Sequence, residues 1–175
     1  MNRAHVRFFA TLLAVYAVWF VVYDLWLLPD GRLDAWLSHR VAAWSGGVLA
    51  LAGQAPAVAG RVVKLPGVAG VYLEDGCNGL AALGLFAGFV VAYPGAWRRR
   101  AWFVPAGIAV VLVVNVLRVA ALALVQRHAP GAFEAAHAVG AQTVFYLVVF
   151  ALWVAWAHVG ERKAPAPAPV PAGAL

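Results

Sequence analysis

From Ala101 to Val125 the chain places one charged side chain, Arg118, in an otherwise apolar run. Roughly 20 such residues suffice to cross the hydrocarbon core of a bilayer. Three further blocks have the same character, Phe8–Leu28, Leu80–Tyr93 and Val139–Ala157, and only the first contains an acidic residue, Asp24. Of the 175 residues 65% are hydrophobic and 11% charged, against about 25% charged in a soluble domain. The expectation is an all-α polytopic membrane protein: a bundle of about four transmembrane helices forming one integral-membrane domain over residues 1–163.

Charge orients the spans. The first block follows Arg3, His5 and Arg7 and runs into Asp24-Leu25-Trp26-Leu27-Leu28-Pro29 instead of a small-residue cleavage site. It therefore reads as a retained span with its basic end in the cytoplasm. The loop Pro94–Arg100 carries three consecutive arginines, Arg98, Arg99 and Arg100, and the positive-inside rule places it in the cytoplasm as well. Counting outward from that loop puts Cys77 and Arg127 on the far side and returns the last span to Glu161-Arg162-Lys163, so both termini are expected in the cytoplasm. The net charge of +6 is scattered between apolar blocks, which suits topology and argues against a nucleic-acid partner. Val41–Gly53 is too short to cross with the correct parity. It is expected as an interfacial or re-entrant helix on the far face, although a short core helix fits equally. The β-branched runs of Arg61–Leu73 around Pro66-Gly67 predict a small extracytoplasmic hairpin. The Pro/Ala-rich stretch 164–175 is expected to be a disordered cytoplasmic tail.

Ionisable and amide side chains are costly near a membrane and mark function. Three places stand out. Glu74-Asp75-Gly76-Cys77-Asn78-Gly79-Leu80 is a polar turn opening the second span, and the N–H groups at such a helix end favour a thiolate. Asn115 and Arg118, three apart, share one face of the third span; at about 1.5 Å per residue Arg118 lies roughly 26 Å beyond Ala101, near the far interface and level with Cys77. Glu134-Ala135-Ala136-His137 opens the fourth span on that side. His5 and His158 lie at the opposite end, whereas His128 competes with His137 for a role. A single Cys excludes a disulfide, a dithiol pair and a multi-thiolate metal site; no metal or organic cofactor is implied. A thiol, an imidazole and a guanidinium in one layer form a nucleophile, a proton carrier and an oxyanion stabiliser.

The ordered set Cys77-Asn78-Gly79-Leu80, Asn115-Val116-Leu117-Arg118 and His137 resembles the exosortase/archaeosortase family, over about Val62 to Trp156. The wording Asp-Gly-Cys-Asn-Gly-Leu and the small size are most similar to its exosortase H branch; Asn78 stands where many members carry Ser. The resemblance implies a multi-pass protein of a bacterial cytoplasmic (inner) membrane with its active site on the extracytoplasmic side. It implies a cysteine-dependent peptidase or transpeptidase. Its partners would be membrane-anchored proteins bearing a C-terminal sorting signal: a short motif, an apolar helix and a basic end. Cys77 would be the nucleophile, His137 the proton-transfer residue and Arg118 the transition-state stabiliser, with Asp75, Asn78, Gly79 and Asn115 in support. The alternatives are a non-enzymatic assembly subunit whose Arg118 and Asn115 hold a neighbour's helix, and a lipid-handling membrane protein.

Overall fold

The computed structural model describes residues 3–160. The tail expected over 164–175 lies outside the described residues. Helix α1 (Arg3–Trp19) continues through a π-helical segment, Phe20–Leu27, into the short α2 (Leu28–Asp30). After Gly31, α3 (Arg32–Leu51) leads into three strands, β1 (Ala57–Ala59), β2 (Val62–Lys64) and β3 (Val71–Tyr72), which pair antiparallel in the order β1-β2-β3. A 3₁₀ turn, Asp75–Cys77, then precedes α4 (Leu80–Ala92) and α5 (Trp97–His128). The described residues close with α6 (Phe133–Ala135), a second π-helical segment, Ala136–Ala141, and α7 (Gln142–Gly160).

Among the described residues, three helical stretches are long and apolar enough to cross a membrane: His5–Asp30, Trp97–His128 and Pro130–Gly160. The fourth expected span, α4, has 13 residues and is only about 20 Å long. It packs against α1, α5 and α7, so the longer helices enclose it. Small residues make this approach close. A Cβ on Gly84 would stand 2.3 Å from the Trp19 ring of α1, and one on Gly107 of α5 would stand 2.0 Å from the Phe86 ring of α4. Phe86, Phe103, Phe145 and Trp156 form the aromatic core where α4, α5 and α7 meet.

The ends of the helices sort as the charge pattern predicts. Phe8 of α1 lies edge-on to Phe89 and Tyr93 at the end of α4, beside the start of α5. Arg99 donates to the carbonyls of Val159 and Gly160 at the end of α7, and Arg100 to that of Tyr93. The arginine loop thus donates to carbonyls at the described end of α7 and just past the end of α4. This is the basic end of the bundle, and Cys77 lies at the other.

The segment expected as a short helix at Val41–Gly53 belongs to a longer one. α3 begins at Arg32 and has 20 residues. Its buried positions, Asp34, Leu37, Ser38, Val41, Ala42, Ser45, Gly46 and Leu49, recur at the i, i+3, i+4 spacing of one helical face. Trp36, Trp44 and Leu51 stay exposed. Ser45 Oγ donates to the Val116 carbonyl, Trp44 and Val48 line a groove with residues from Ala109 to Leu117, and Gln54, just past the helix, accepts from Arg127. α3 therefore meets α5 in its second half and stays at the Cys77 end.

The sheet covers α3. The predicted hairpin is present as β2 and β3, and β1 adds a third strand, with Ala59 opposite Val62 across a tight turn at left-handed Gly60. Val63, Leu65, Val71 and Leu73 alternate inward in the period of two that strands impose and join Leu37, Val41, Leu49, Val119 and Leu122 in an aliphatic core. Gln126 fastens the sheet to α5 by a reciprocal pair, accepting from Gly70 N–H at 2.9 Å and donating to its carbonyl at 3.2 Å.

Candidate active site

Cys77 closes the 3₁₀ turn Asp75–Cys77, and α4 starts at Leu80. The thiol thus precedes the helix by two residues and does not occupy its first turn. What fixes it is its own main chain: the Cys77 carbonyl accepts from Arg118 Nη2 at 2.9 Å and from Asn115 Nδ2 at 3.1 Å. The Asn-x-x-Arg spacing gives this geometry, because residues three apart on α5 present their side chains to one place. Both lone pairs of one carbonyl oxygen are used. The Arg118 guanidinium also lies 5.2 Å over the Phe145 ring of α7, a cation–π contact that holds it between two helices.

Gly79 makes the clamp fit. Its φ of +90° belongs to the left-handed region, and an added Cβ would stand 3.2 Å from Asn115 Nδ2. Glycine satisfies both demands at once. Asn78 is fully buried; its Oδ1 accepts from Leu80 N–H at 2.8 Å, satisfying a donor in the first turn of α4, while its Nδ2 donates to Asp34 Oδ1 at 2.6 Å. A Ser at position 78 would supply the first of these bonds but is too short to give the second.

Asp75 pairs with Arg61 at the start of β2, tying the turn to the sheet, as does the bond from Leu73 N–H to the Arg61 carbonyl at 2.9 Å. Partial burial acts to lower the Arg61 guanidinium, the Asp75 carboxylate acts to raise it, and the carboxylate prevails, so Arg61 holds its proton above the ordinary value.

His137 sits in the second π-helical segment, half-buried, with its ring stacked on Phe133 at 5.9 Å. Among the described residues no hydrogen bond joins it to Cys77 or Arg118. Its neighbours Ala136 and Gly140 line, with Arg118, Leu122, Val125 and Phe145, an apolar groove of about 510 Å³ between α5 and α7. His128 is exposed at the end of α5. The fold thus gathers Cys77, Asn78, Gly79, Asn115 and Arg118, ties Asp75 to Arg61, and leaves His137 stacked on Phe133, next in sequence to Ala136 of the groove that Arg118 lines.

Two residues of this region were not among the expected ones. Asp34 of α3 is completely buried and accepts at Oδ1 from both Asn78 and Tyr23 Oη, the latter at 2.9 Å. Tyr23 lies in the first π-helical segment, stacked on Trp19. The signal for Asp34 was its place in the 3.6-residue series with Leu37, Ser38 and Val41, legible once polar residues are admitted to a buried helical face.

The family model described as transmembrane exosortase matches residues 2–173. The chain belongs to the transmembrane exosortase family. Searches of curated proteins and of solved structures gave no match. The family and the three apolar spanning helices make this exosortase a multi-pass membrane protein.

Proposed function

We propose that this exosortase is a cysteine-dependent membrane peptidase or transpeptidase, acting on exported proteins that carry a C-terminal sorting signal, with its site on the outer side of a bacterial cytoplasmic membrane. The observation that carries this reading is the clamp on Cys77: a guanidinium and an amide from α5 grip the main chain of the chain's single cysteine. That precision serves a thiol whose position matters. It also engages Arg118 and Asn115 within the chain, which removes the motive for a subunit that uses them to hold a neighbour.

In this mechanism His137 takes the Cys77 proton and the thiolate attacks the scissile carbonyl carbon. The oxyanion forms beside Arg118, where charge development is most effectively stabilised in a dry site. The tetrahedral intermediate then collapses with cleavage of the C–N bond, and His137 delivers its proton to the leaving amine. The acyl group remains on sulfur as a thioester until an acceptor amine or water attacks, releasing the thiol. His137 approaches the thiol when substrate is bound, in keeping with catalytic hydrogen bonds that are long in ligand-free enzymes. The apolar groove beside Arg118 supports entry of an apolar helix from the bilayer, with the motif held at the level of Cys77.

Coexpression with a candidate substrate tests this. Cys77→Ala and Cys77→Ser should each abolish shortening of the substrate. Normal processing by both variants would remove Cys77 as nucleophile.

A further inference from the structure

Tyr23 and Asp34, which bond to Asn78 beside the Cys77 turn, belong to none of the roles above. Asp34 has no exposed surface, yet it has no cationic partner: the ion pairs among the described residues are Arg32 with Asp30 and Arg61 with Asp75. Its Oδ2 makes no hydrogen bond, whereas its Oδ1 receives two. The working part of this side chain is one acceptor oxygen. Asn78, equally buried, has two ends to satisfy. Its oxygen takes the Leu80 N–H, and its NH₂ finds both of its acceptors on one residue, Asp34 Oδ1 at 2.6 Å and the Asp34 carbonyl at 3.5 Å. Among the described residues that NH₂ has no other hydrogen-bond acceptor, so Asp34, together with the Leu80 N–H, sets which way the carboxamide points.

We infer that Asp34 is a positioning residue for Cys77: fixed by the Tyr23 hydroxyl, its Oδ1 orients the Asn78 carboxamide so that Asn78 caps α4 and the turn ending at Cys77 is held from behind. The clamp from Asn115 and Arg118 holds the same turn from the front. The inference rests on Cys77 being the reactive group, and it extends the site to the first π-helical segment and α3. The role is one of acceptor geometry and needs no charge. Asn at position 34 therefore fulfils it and Ala does not.

Because Cys77 is the single cysteine, its alkylation by N-ethylmaleimide in the purified full chain measures the turn directly, with no substrate required. Asp34→Ala should free the half-buried turn and raise the alkylation rate about fivefold or more, the shift that loss of one buried hydrogen bond produces. Asp34→Asn should stay within about twofold of the parent. Asn78→Ala should match Asp34→Ala, and the double variant should exceed neither, since residues acting in one chain are not additive. Parental alkylation in Asp34→Ala overturns the inference, as does Asp34→Asn behaving like Asp34→Ala, or additivity in the double variant. If Asp34→Ala does not fold, the contrast between Asp34→Asn and Asn78→Ala decides, and equal rates in those two overturn it. Failure of the parent chain to process any substrate would strike the peptidase reading and leave these alkylation results standing.

Discussion

The two ends of the bundle use the same residue types differently. At the basic end the core is aromatic, with Trp156 buried against Gly95 and Phe103, and Arg99 and Arg100 bond the carbonyls that terminate α7 and α4. At the Cys77 end the core is aliphatic, and it adjoins every fully buried polar side chain described: Asp34, Ser38, Ser45, Asn78 and Asn115. There the arginine reaches past any helix end to the carbonyl of a single turn residue. The basic end is an anchor in which Arg99 and Arg100 reach carbonyls at the ends of neighbouring helices. The opposite end gathers donors and acceptors from the first π-helical segment, α3, α4 and α5 around one turn, an arrangement that helix stability alone does not require.

This contrast predicts different responses to substitution. Trp156→Ala strikes the anchor and should show the largest effect, a loss of about 3–5 kcal/mol of folding stability, as for other buried aromatics. Thermal denaturation in detergent should register it, while the folded fraction keeps the parental Cys77 alkylation rate. A changed alkylation rate would show that the two ends are coupled. Arg118→Leu should invert the pattern. Stability should be largely retained while substrate processing falls about 100-fold or more, in the range for removing one oxyanion-stabilising group, measured as the rate of substrate shortening. Arg118→Lys should not restore it, because a point charge cannot reproduce a planar fork that bonds a carbonyl and stacks on Phe145.

Gly79→Ala comes next. The left-handed backbone and the crowding against Asn115 together should cost about 1–3 kcal/mol, read as slower processing and faster Cys77 alkylation. Arg99→Ala should have the smallest effect. Loss of its bonds at the end of α7 is worth about 0.5–1.5 kcal/mol, seen as a slightly lower Tm with processing unaltered. Loss of processing in Arg99→Ala would give the basic end a role in catalysis and break the contrast.

The three long apolar helices, their order and the sharing of one face of α5 by Asn115 and Arg118 were legible because apolar runs and the i, i+3 spacing act locally. The start of α3 was not. Arg32, Asp34, His39 and Arg40 make that stretch look like a loop, and only tertiary burial of Asp34 and Ser38 reveals a helix face. β1 was missed because Ala57-Val58-Ala59 has weak strand preference of its own and is held by pairing with β2. The length of α4 was readable, whereas its enclosure by longer helices depended on Gly84 and Gly107 meeting the Trp19 and Phe86 rings. For Asn78 the identity was visible and its dependence on Asp34, 44 residues earlier, was not.

The bond from Arg99 to the end of α7 spans 60 residues. A ribosome delivers Arg99 to the membrane surface well before Val159 and Gly160 exist. The guanidinium therefore lacks these two acceptors until α7 has been synthesised. Arg99, in the first turn of α5, is thus tied to α7 by a bond that forms only after every other described helix has been made.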